Sequence, residues 1–249
     1  MDPMLDQVAL LTAVIFLLAG FVKGVMGLGL PTVSMGLLAL IVAPAEAAAL
    51  LVVPSIATNV WQAIAGPGLS RLLRRLWPMM LCVCLGTWTG AGLLTGTNAR
   101  LVSSALGACL VLYALLGLSA KRWSVGGSSE PWLSPPVGMA AGLVTAATGT
   151  FVIPGLPYLQ ALGLAKDDFV QAMGIYFLVS TFALAGNLVH AGVLSPSVAA
   201  TSLAALLPAL AGMGLGQLAR LRLSEDLFRR TFFVGVLLLG AYLAGRTLV

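Results

Sequence analysis

One lysine lies inside a long apolar run of the sequence, beside a cluster of glycines. Lys23 belongs to the stretch F-V-K-G-V-M-G-L-G-L-P, in which Gly27 and Gly29 precede Pro31. A bilayer offers no water to loose backbone amides, so irregular backbone at membrane depth occurs only against protein or beside a wet cavity. An ionisable side chain at that depth indicates a functional site, here one suited to an anion. The competing interpretation is that Lys23 snorkels to an interface.

A second stretch of the same character lies in the other half of the chain. Residues 138–157 read G-M-A-A-G-L-V-T-A-A-T-G-T-F-V-I-P-G-L-P and contain Thr148, Gly149, Thr150 and Pro154. Proline suits the first position of a helix, and helix N-termini bind anions through their free amides. Two Gly/Pro-broken segments in corresponding places of two halves indicate a transporter site near the midplane. The alternative is that the glycines only allow close helix packing.

Other polar side chains lie on the long segments that follow the breaks. Asn59 and Gln62 are three residues apart and share a helix face, as do Asn187 and His190. Gln171 is a further candidate donor. We include these side chains in the predicted substrate site. Hydrogen bonding between helices is the alternative role, and His190 is also close enough to a segment end to be interfacial.

The residue types that catalysis and metal binding require do not occur together in the apolar segments. All eight carboxylates lie at termini, segment boundaries, the linker or loops, whereas transporters that relay protons usually place Asp or Glu in the interior. The three cysteines lack metal-ligand spacing, and no phosphate-binding loop or nucleophile constellation appears. The sequence therefore predicts a protein that is not an enzyme and that has no cofactor, no metal and no carboxylate relay.

The composition identifies the kind of element that must position these residues. The chain has 249 residues, of which 59% are hydrophobic and 8% charged, whereas a soluble domain carries about 25% charged residues. This predicts an all-α polytopic membrane protein whose partner is the lipid bilayer. The net charge of +5 comes from Lys and Arg in short loops, where it sets orientation in the membrane. We therefore predict no nucleic-acid partner.

Ten apolar segments are arranged in two halves around a polar linker. The first half covers residues 1–120, the linker 121–135 and the second half 136–249. The segments are 7–26, 31–43, 47–66, 79–96, 101–119, 137–148, 155–164, 169–190, 198–218 and 231–248. Each half is a Gly/Pro-broken segment pair followed by three long helices. The short second and seventh segments either cross the membrane fully or form re-entrant hairpins.

The basic loops predict that the two halves have opposite orientations. Residues 70–77 form a basic loop between the third and fourth segments, whereas the basic loop of the second half, residues 219–230, lies one connection later. If both loops face the cytoplasm, the halves are two inverted repeats. Lys121 and Arg122 of the linker then fall on the same side. The sequence leaves the oligomeric state open, with a homodimer as one arrangement.

The two broken stretches resemble the TauE/SafE family of membrane transporters, which is named for sulfite and sulfoacetate export. The resemblance extends to Q-A-M-G-I-Y-F at residues 171–177 and to the two-half arrangement with its linker. It implies transport of a small anion, often a sulfur oxyanion or an organosulfonate, across a bacterial inner membrane. This chain has Leu30 and Thr150 where many relatives have glycine, and Lys23 where they have a neutral residue.

The leading interpretation is a secondary transporter or facilitator of a small anion. An anion-selective channel on the same fold is one alternative, and it would give single-channel currents instead of transport that saturates at low turnover. A membrane protein with a role in assembly is another alternative. It would need a soluble docking surface, and none is visible in the sequence.

Overall fold

The computed structural model describes residues 3–96, 98–119 and 123–246. Its regular elements are the helices α1 (Pro3–Met26), α2 (Leu30–Leu38), α3 (Pro44–Ile64), α4 (Leu69–Thr89), α5 (Leu93–Gly96), α6 (Ala99–Leu118), α7 (Glu130–Thr148), α8 (Gly155–Ala161), α9 (Lys166–His190), α10 (Pro196–Arg220) and α11 (Glu225–Gly245). No strand occurs among these described residues. The predicted all-α class is therefore confirmed.

Seven helical stretches in the described part of the chain are long and apolar enough to cross a membrane. They are Gln7–Met26, Pro44–Ile64, Leu69–Gly96, Ala99–Leu118, Lys166–His190, Pro196–Arg220 and Asp226–Gly245. The helices at the two broken stretches are much shorter, since α2 has nine residues and α8 has seven. Each therefore covers less than half of a hydrocarbon core about 30 Å thick.

The first broken stretch is a three-residue interruption between α1 and α2. Gly27 and Gly29 have φ angles of 75° and 108°, a left-handed backbone that favours glycine. The Gly27 N–H donates to the carbonyl oxygen of Lys23 at 2.7 Å and so closes α1. Pro31 lies in the first turn of α2, as predicted. The backbone therefore leaves the helical path directly after Lys23.

The second broken stretch lies between α7 and α8. Gly149 ends α7 with a φ angle of 69°. Pro154 directly precedes Gly155, which is both the first helical residue of α8 and the predicted start of the seventh segment. The N–H of Leu156 already donates to the carbonyl oxygen of Val152 at 3.1 Å, so a turn that contains Pro154 leads into the helix.

Helix α4 begins ten residues earlier than the sequence predicted. It starts at Leu69, so the residues predicted to form a basic loop lie in its first turns: Arg71, Arg74 and Arg75. Leu72 and Leu76 are buried beside these exposed arginines, which makes the first turns amphipathic. Pro78 lies inside the helix. Charge and proline were therefore wrong indicators of a loop here.

Helix α7 begins inside the predicted linker. It starts at Glu130, and its first turn contains Pro131, a position where a missing N–H has no cost. The described linker runs over residues 123–129, and its Val125 N–H donates to the carbonyl oxygen of Ala161 at 2.8 Å. Lys121 and Arg122 lie outside the described residues.

Helices of the first half pack mainly on helices of the second half. Helix α1 lies along α10, α4 along α7, α3 along α9 and α6 along α11. Glycines allow close approach: a Cβ atom at Gly24 would lie 2.2 Å from the carbonyl oxygen of Met213, and one at Gly142 would lie 2.3 Å from that of Val83. Small residues commonly bring membrane helices together in this way. Gly27 is different, because a Cβ atom there would meet nothing within 4 Å.

We expect Gly142→Val to destabilise the protein by about 1–3 kcal/mol or more, because overpacking forces neighbouring backbone to move. Gly214→Val is the matched control, since a Cβ atom at this helical glycine would meet nothing within 4 Å. The measurement is the melting temperature in detergent, together with the monodisperse fraction by size-exclusion chromatography. Equal melting temperatures for the two variants would contradict the close contact between α4 and α7.

Candidate functional site

Lys23 is buried in the last turn of α1. The residue is 4% exposed, and its Nζ donates a hydrogen bond to Oδ1 of Asn59 on α3. No carboxylate forms an ion pair with Lys23 among the described residues. An ammonium group has three N–H donors, so the one bond to Asn59 leaves donors for a further acceptor. Among the described residues, Lys23 Nζ therefore has one neutral acceptor, the Asn59 amide oxygen, and no counter-ion.

Helix α3 presents a polar face beside this lysine. Ser55, Asn59 and Gln62 are spaced four and three residues apart, which places them on one side of the helix. Ser55 Oγ, Asn59 Nδ2 and Gln62 Oε1 are buried and have no hydrogen-bond partner among the described residues. An unsatisfied buried polar group costs about 1–3 kcal/mol. The face therefore carries two donor groups without a partner among the described residues, the Ser55 hydroxyl and the Asn59 amide, and Asn59 also accepts from Lys23.

Gln62 connects this face to the first break and to the second half. Its Nε2 donates to the carbonyl oxygens of Gly27 and Val170, both at 2.9 Å. Gly27 is the residue at which α1 has ended, and Val170 lies on α9. The interaction holds the irregular backbone of the break against α3 and α9.

Gln171 makes a similar connection in the opposite direction. From α9, its Nε2 donates to the carbonyl oxygens of Ala63 and Gly66 at 2.7 Å each. Its Oε1 accepts the N–H of Gly68 at 3.0 Å. These bonds cap the end of α3 and the start of α4. All hydrogen-bonding atoms of the Gln171 amide are engaged, so this residue positions helices.

Five of the predicted site residues therefore lie in one region. Lys23, Gly27, Asn59 and Gln62 are joined by hydrogen bonds, and Gln171 follows directly after Val170, which accepts from Gln62. We call Lys23, Gly27, Ser55, Asn59 and Gln62 the polar cluster. Gly29 and Pro31 follow it directly in the chain, at the start of α2.

The predicted residues of the second break form a separate group. Thr148 and Thr150 are buried, and their hydroxyl oxygens are 2.9 Å apart. A Cβ atom at Gly149 would lie 2.9 Å from Cε of Met35, so this break packs against α2 of the first half. The two threonines hydrogen-bond within α7 and the break, Thr148 also hydrogen-bonds the thiol of Cys109 on α6, and none of these bonds reaches Lys23.

Asn187 and His190 lie apart from both groups. Nδ2 of Asn187 donates to the carbonyl oxygen of Thr87 on α4 at 2.7 Å. His190 is exposed at the last residue of α9. These placements fit the alternatives stated for them from the sequence, which are hydrogen bonding between helices for Asn187 and a segment end for His190.

Two buried serines, Ser55 and Ser202, were absent from the sequence prediction. Ser55 belongs to the polar cluster. Ser202 on α10 donates to the carbonyl oxygen of Leu50 at 2.7 Å and accepts the N–H of Val53 at 3.1 Å. The Leu50 carbonyl lacks its helical partner because Pro54, four residues later, has no N–H. A proline inside a membrane helix was the available signal, since another group must satisfy the freed carbonyl.

Two ion pairs join the start of α4 to the second half. Nη2 of Arg71 lies 2.6 Å from Oδ1 of Asp168 on α9. Arg75 makes two parallel bonds to Glu130 at the start of α7, at 2.7 and 2.6 Å. Both carboxylates lie at the first turns of their helices. They connect the two halves at one end of the bundle, away from mid-helix positions.

A family model described as "Sulfite exporter TauE/SafE" matches residues 12–243. The matched range includes both broken stretches and every residue of the polar cluster. No curated protein and no solved structure matches the chain.

Proposed function

Because the chain belongs to the sulfite exporter TauE/SafE family, we propose that it moves a small sulfur oxyanion or organosulfonate across the bacterial inner membrane. Membership of this family makes it a multi-pass membrane transporter and not an enzyme. In this proposal the substrate binds at the polar cluster.

The observation that carries this proposal is the pairing of buried Lys23 with the neutral Asn59. A buried cation is costly unless a partner compensates its charge. An anion beside Nζ supplies that charge, and its oxygens accept from the Ser55 hydroxyl and from Nδ2 of Asn59. Hydrogen bonds between ionised partners are roughly twice as strong as neutral ones. Helix α2 adds the positive end of its dipole directly after the break.

The second break contributes to the same path in this proposal. Thr148, Thr150 and Pro154 stand at the end of α7 and the start of α8. Contact between Gly149 and Met35 of α2 supports the idea that the two broken stretches lie near each other. Asn187 and His190 remain candidates for positions further along the path. A role for each of these residues stays a prediction.

We also propose that the two halves are inverted repeats. The helix pairs stay the same when the two halves are exchanged. Helix α1 packs on α10, and its counterpart α7 packs on α4, which is the counterpart of α10. Helix α3 packs on its own counterpart α9, and α6 packs on its own counterpart α11. Close contacts support the inference that the two helices of the α1–α10 pair run parallel, as do those of the α4–α7 pair. In each pair, glycines later in one helix approach residues later in the other helix. Such repeats commonly place a substrate site at their interface.

The proposed topology predicts which positions react with a reagent outside the cell. In a variant without native cysteines, a cysteine at Ser70 or at Arg222 should stay unlabelled by an impermeant maleimide. A cysteine at Ser195, in the connection between α9 and α10, should be labelled. Both basic ends face the cytoplasm in the proposed topology, where positive residues are enriched. Strong outside labelling at position 70 would contradict the inverted repeat.

Transport in proteoliposomes tests the proposed function. Purified protein should take up sulfite or a sulfonate with saturable kinetics, and carboxylates of similar size should compete weakly. Current recordings in planar bilayers should show no single-channel events, since a carrier turns over slowly. Failure to move any sulfur anion would contradict the proposed substrate class. Single-channel currents would favour an anion-selective channel. Light scattering of the same sample determines the oligomeric state, for which a homodimer is one arrangement.

A further inference from the structure

A basic pocket opens at the start of α4, outside the polar cluster. It has a volume of about 330 Å³ and is lined by Ser70, Arg71, Arg74 and Arg75. Three arginines within five residues are a high local charge for an apolar helix. Neither the packing of α4 nor the proposed transport site uses Arg74, which makes no hydrogen bond to the described residues.

The ion pairs of this region leave the pocket with free donors. Arg71 uses only Nη2 for both oxygens of Asp168, and Arg75 uses Nε and Nη2 for Glu130. Each guanidinium has five N–H donors, so both keep some for another ligand. The arginine side chains are 69% and 38% exposed, whereas those of Asp168 and Glu130 are 20% and 11% exposed. The accessible surface is therefore cationic.

An exposed apolar strip continues from this pocket along α4. The strip consists of Trp77, Leu81, Leu85 and Trp88. It shares one helix face with the pocket residues Ser70 and Arg74, because successive members of the series from residue 70 to residue 88 are three or four residues apart. Exposed fractions along the strip are 59% for Trp77, 51% for Leu81, 42% for Leu85 and 57% for Trp88. The cationic pocket and the apolar strip thus lie in line on one face of α4.

We propose that the pocket and the strip together bind one anionic phospholipid. Its phosphate lies among Arg71, Arg74 and Arg75, and its acyl chains lie along the strip. The distance from Trp77 to Trp88 along the helix is about 16 Å, close to half of a hydrocarbon core about 30 Å thick. The strip therefore has the length of one leaflet. Basic pockets on the cytoplasmic side of membrane helices suit anionic headgroups, and tryptophan is enriched at headgroup level.

Lipid binding is measured on the full-length protein in mixed micelles that contain equal amounts of phosphatidylglycerol and phosphatidylcholine. Native mass spectrometry counts the molecules of each lipid that stay bound. Wild-type protein should retain phosphatidylglycerol in preference to phosphatidylcholine. Arg74→Gln should lower phosphatidylglycerol binding about fivefold, because one basic residue near the surface contributes about 1 kcal/mol. Millimolar inorganic phosphate should not displace the lipid, because it lacks the acyl chains that contact the strip.

Arg222→Gln is the matched control. It removes the same charge from an exposed loop position outside the pocket, so it should leave phosphatidylglycerol binding unchanged. Trp77→Ala should weaken binding without a change of charge. Equal retention of both lipids by the wild type would overturn the proposal. So would wild-type retention by folded Arg74→Gln, an equal loss in Arg222→Gln, or full displacement by inorganic phosphate.

Discussion

Replacement of Lys23 by methionine is expected to lower anion transport by one to two powers of ten while the protein still folds. A unit charge pair 4 Å apart contributes about 4 kcal/mol at an effective dielectric constant near 20. Desolvation and salt reduce this value, and each 1.4 kcal/mol corresponds to about tenfold in affinity. Lys23→Arg should fall between the wild type and Lys23→Met, because a planar guanidinium differs in shape from a compact ammonium. The measurement is the initial rate of uptake in proteoliposomes.

Lys166→Met is the matched control for this loss. Lys166 is exposed at the start of α9, so its replacement should leave the uptake rate unchanged. Folded yield is compared by size-exclusion chromatography for all three variants. Wild-type uptake by well-folded Lys23→Met would remove Lys23 from the site. That result would favour the interpretation in which the lysine snorkels to an interface.

Asn59→Leu is expected to destabilise the protein more than Lys23→Met does. Asn59 is the one hydrogen-bond acceptor of the Lys23 ammonium among the described residues. Leucine would leave a buried charge without a partner, and an unsatisfied charged group costs more than the roughly 1–3 kcal/mol of a neutral one. The double variant Lys23→Met with Asn59→Leu should recover much of the lost stability, because it removes the charge together with its partner. Melting temperature in detergent is the measurement.

Asn187→Leu is the control for the loss of an asparagine. Asn187 also donates a hydrogen bond between helices, to the carbonyl oxygen of Thr87, but no buried charge depends on it. Its replacement should cost about 1 kcal/mol, the typical net value of a neutral hydrogen bond. If Asn59→Leu melts at the same temperature as Asn187→Leu, and Lys23→Met brings no recovery, the charge of Lys23 is compensated elsewhere.

The polar cluster was predictable from the sequence only in part. Lys23 and Gly27 were predicted because a lysine and a cluster of glycines before a proline are unusual together in an apolar run, and the three-residue spacing placed Asn59 and Gln62 on one face. The bond from Lys23 to Asn59 joins residues 36 positions apart. No local pattern predicts it, because it depends on how α1 packs against α3.

Ser55 shows why part of the site could not be predicted from the sequence. Serine and threonine in membrane helices usually bond to the carbonyl four residues earlier. Thr58, Ser180 and Thr181 do so here, whereas the Ser55 hydroxyl has no partner among the described residues. Sequence alone does not distinguish these cases. The early starts of α4 and α7 were not predicted for another reason. Prolines and charges are common in loops, but they also occur in the amphipathic first turns of helices.

The position of a bound anion tests the account most directly. Selenite is a heavier analogue of sulfite, and anomalous scattering locates its selenium in crystals grown at a concentration that saturates transport. We expect one selenium within about 4 Å of Lys23 Nζ, with a selenite oxygen about 3 Å from that nitrogen and another near Nδ2 of Asn59. Selenium bound only beside Thr148 and Thr150, or anywhere else without contact to Lys23, would contradict the polar cluster as the substrate site.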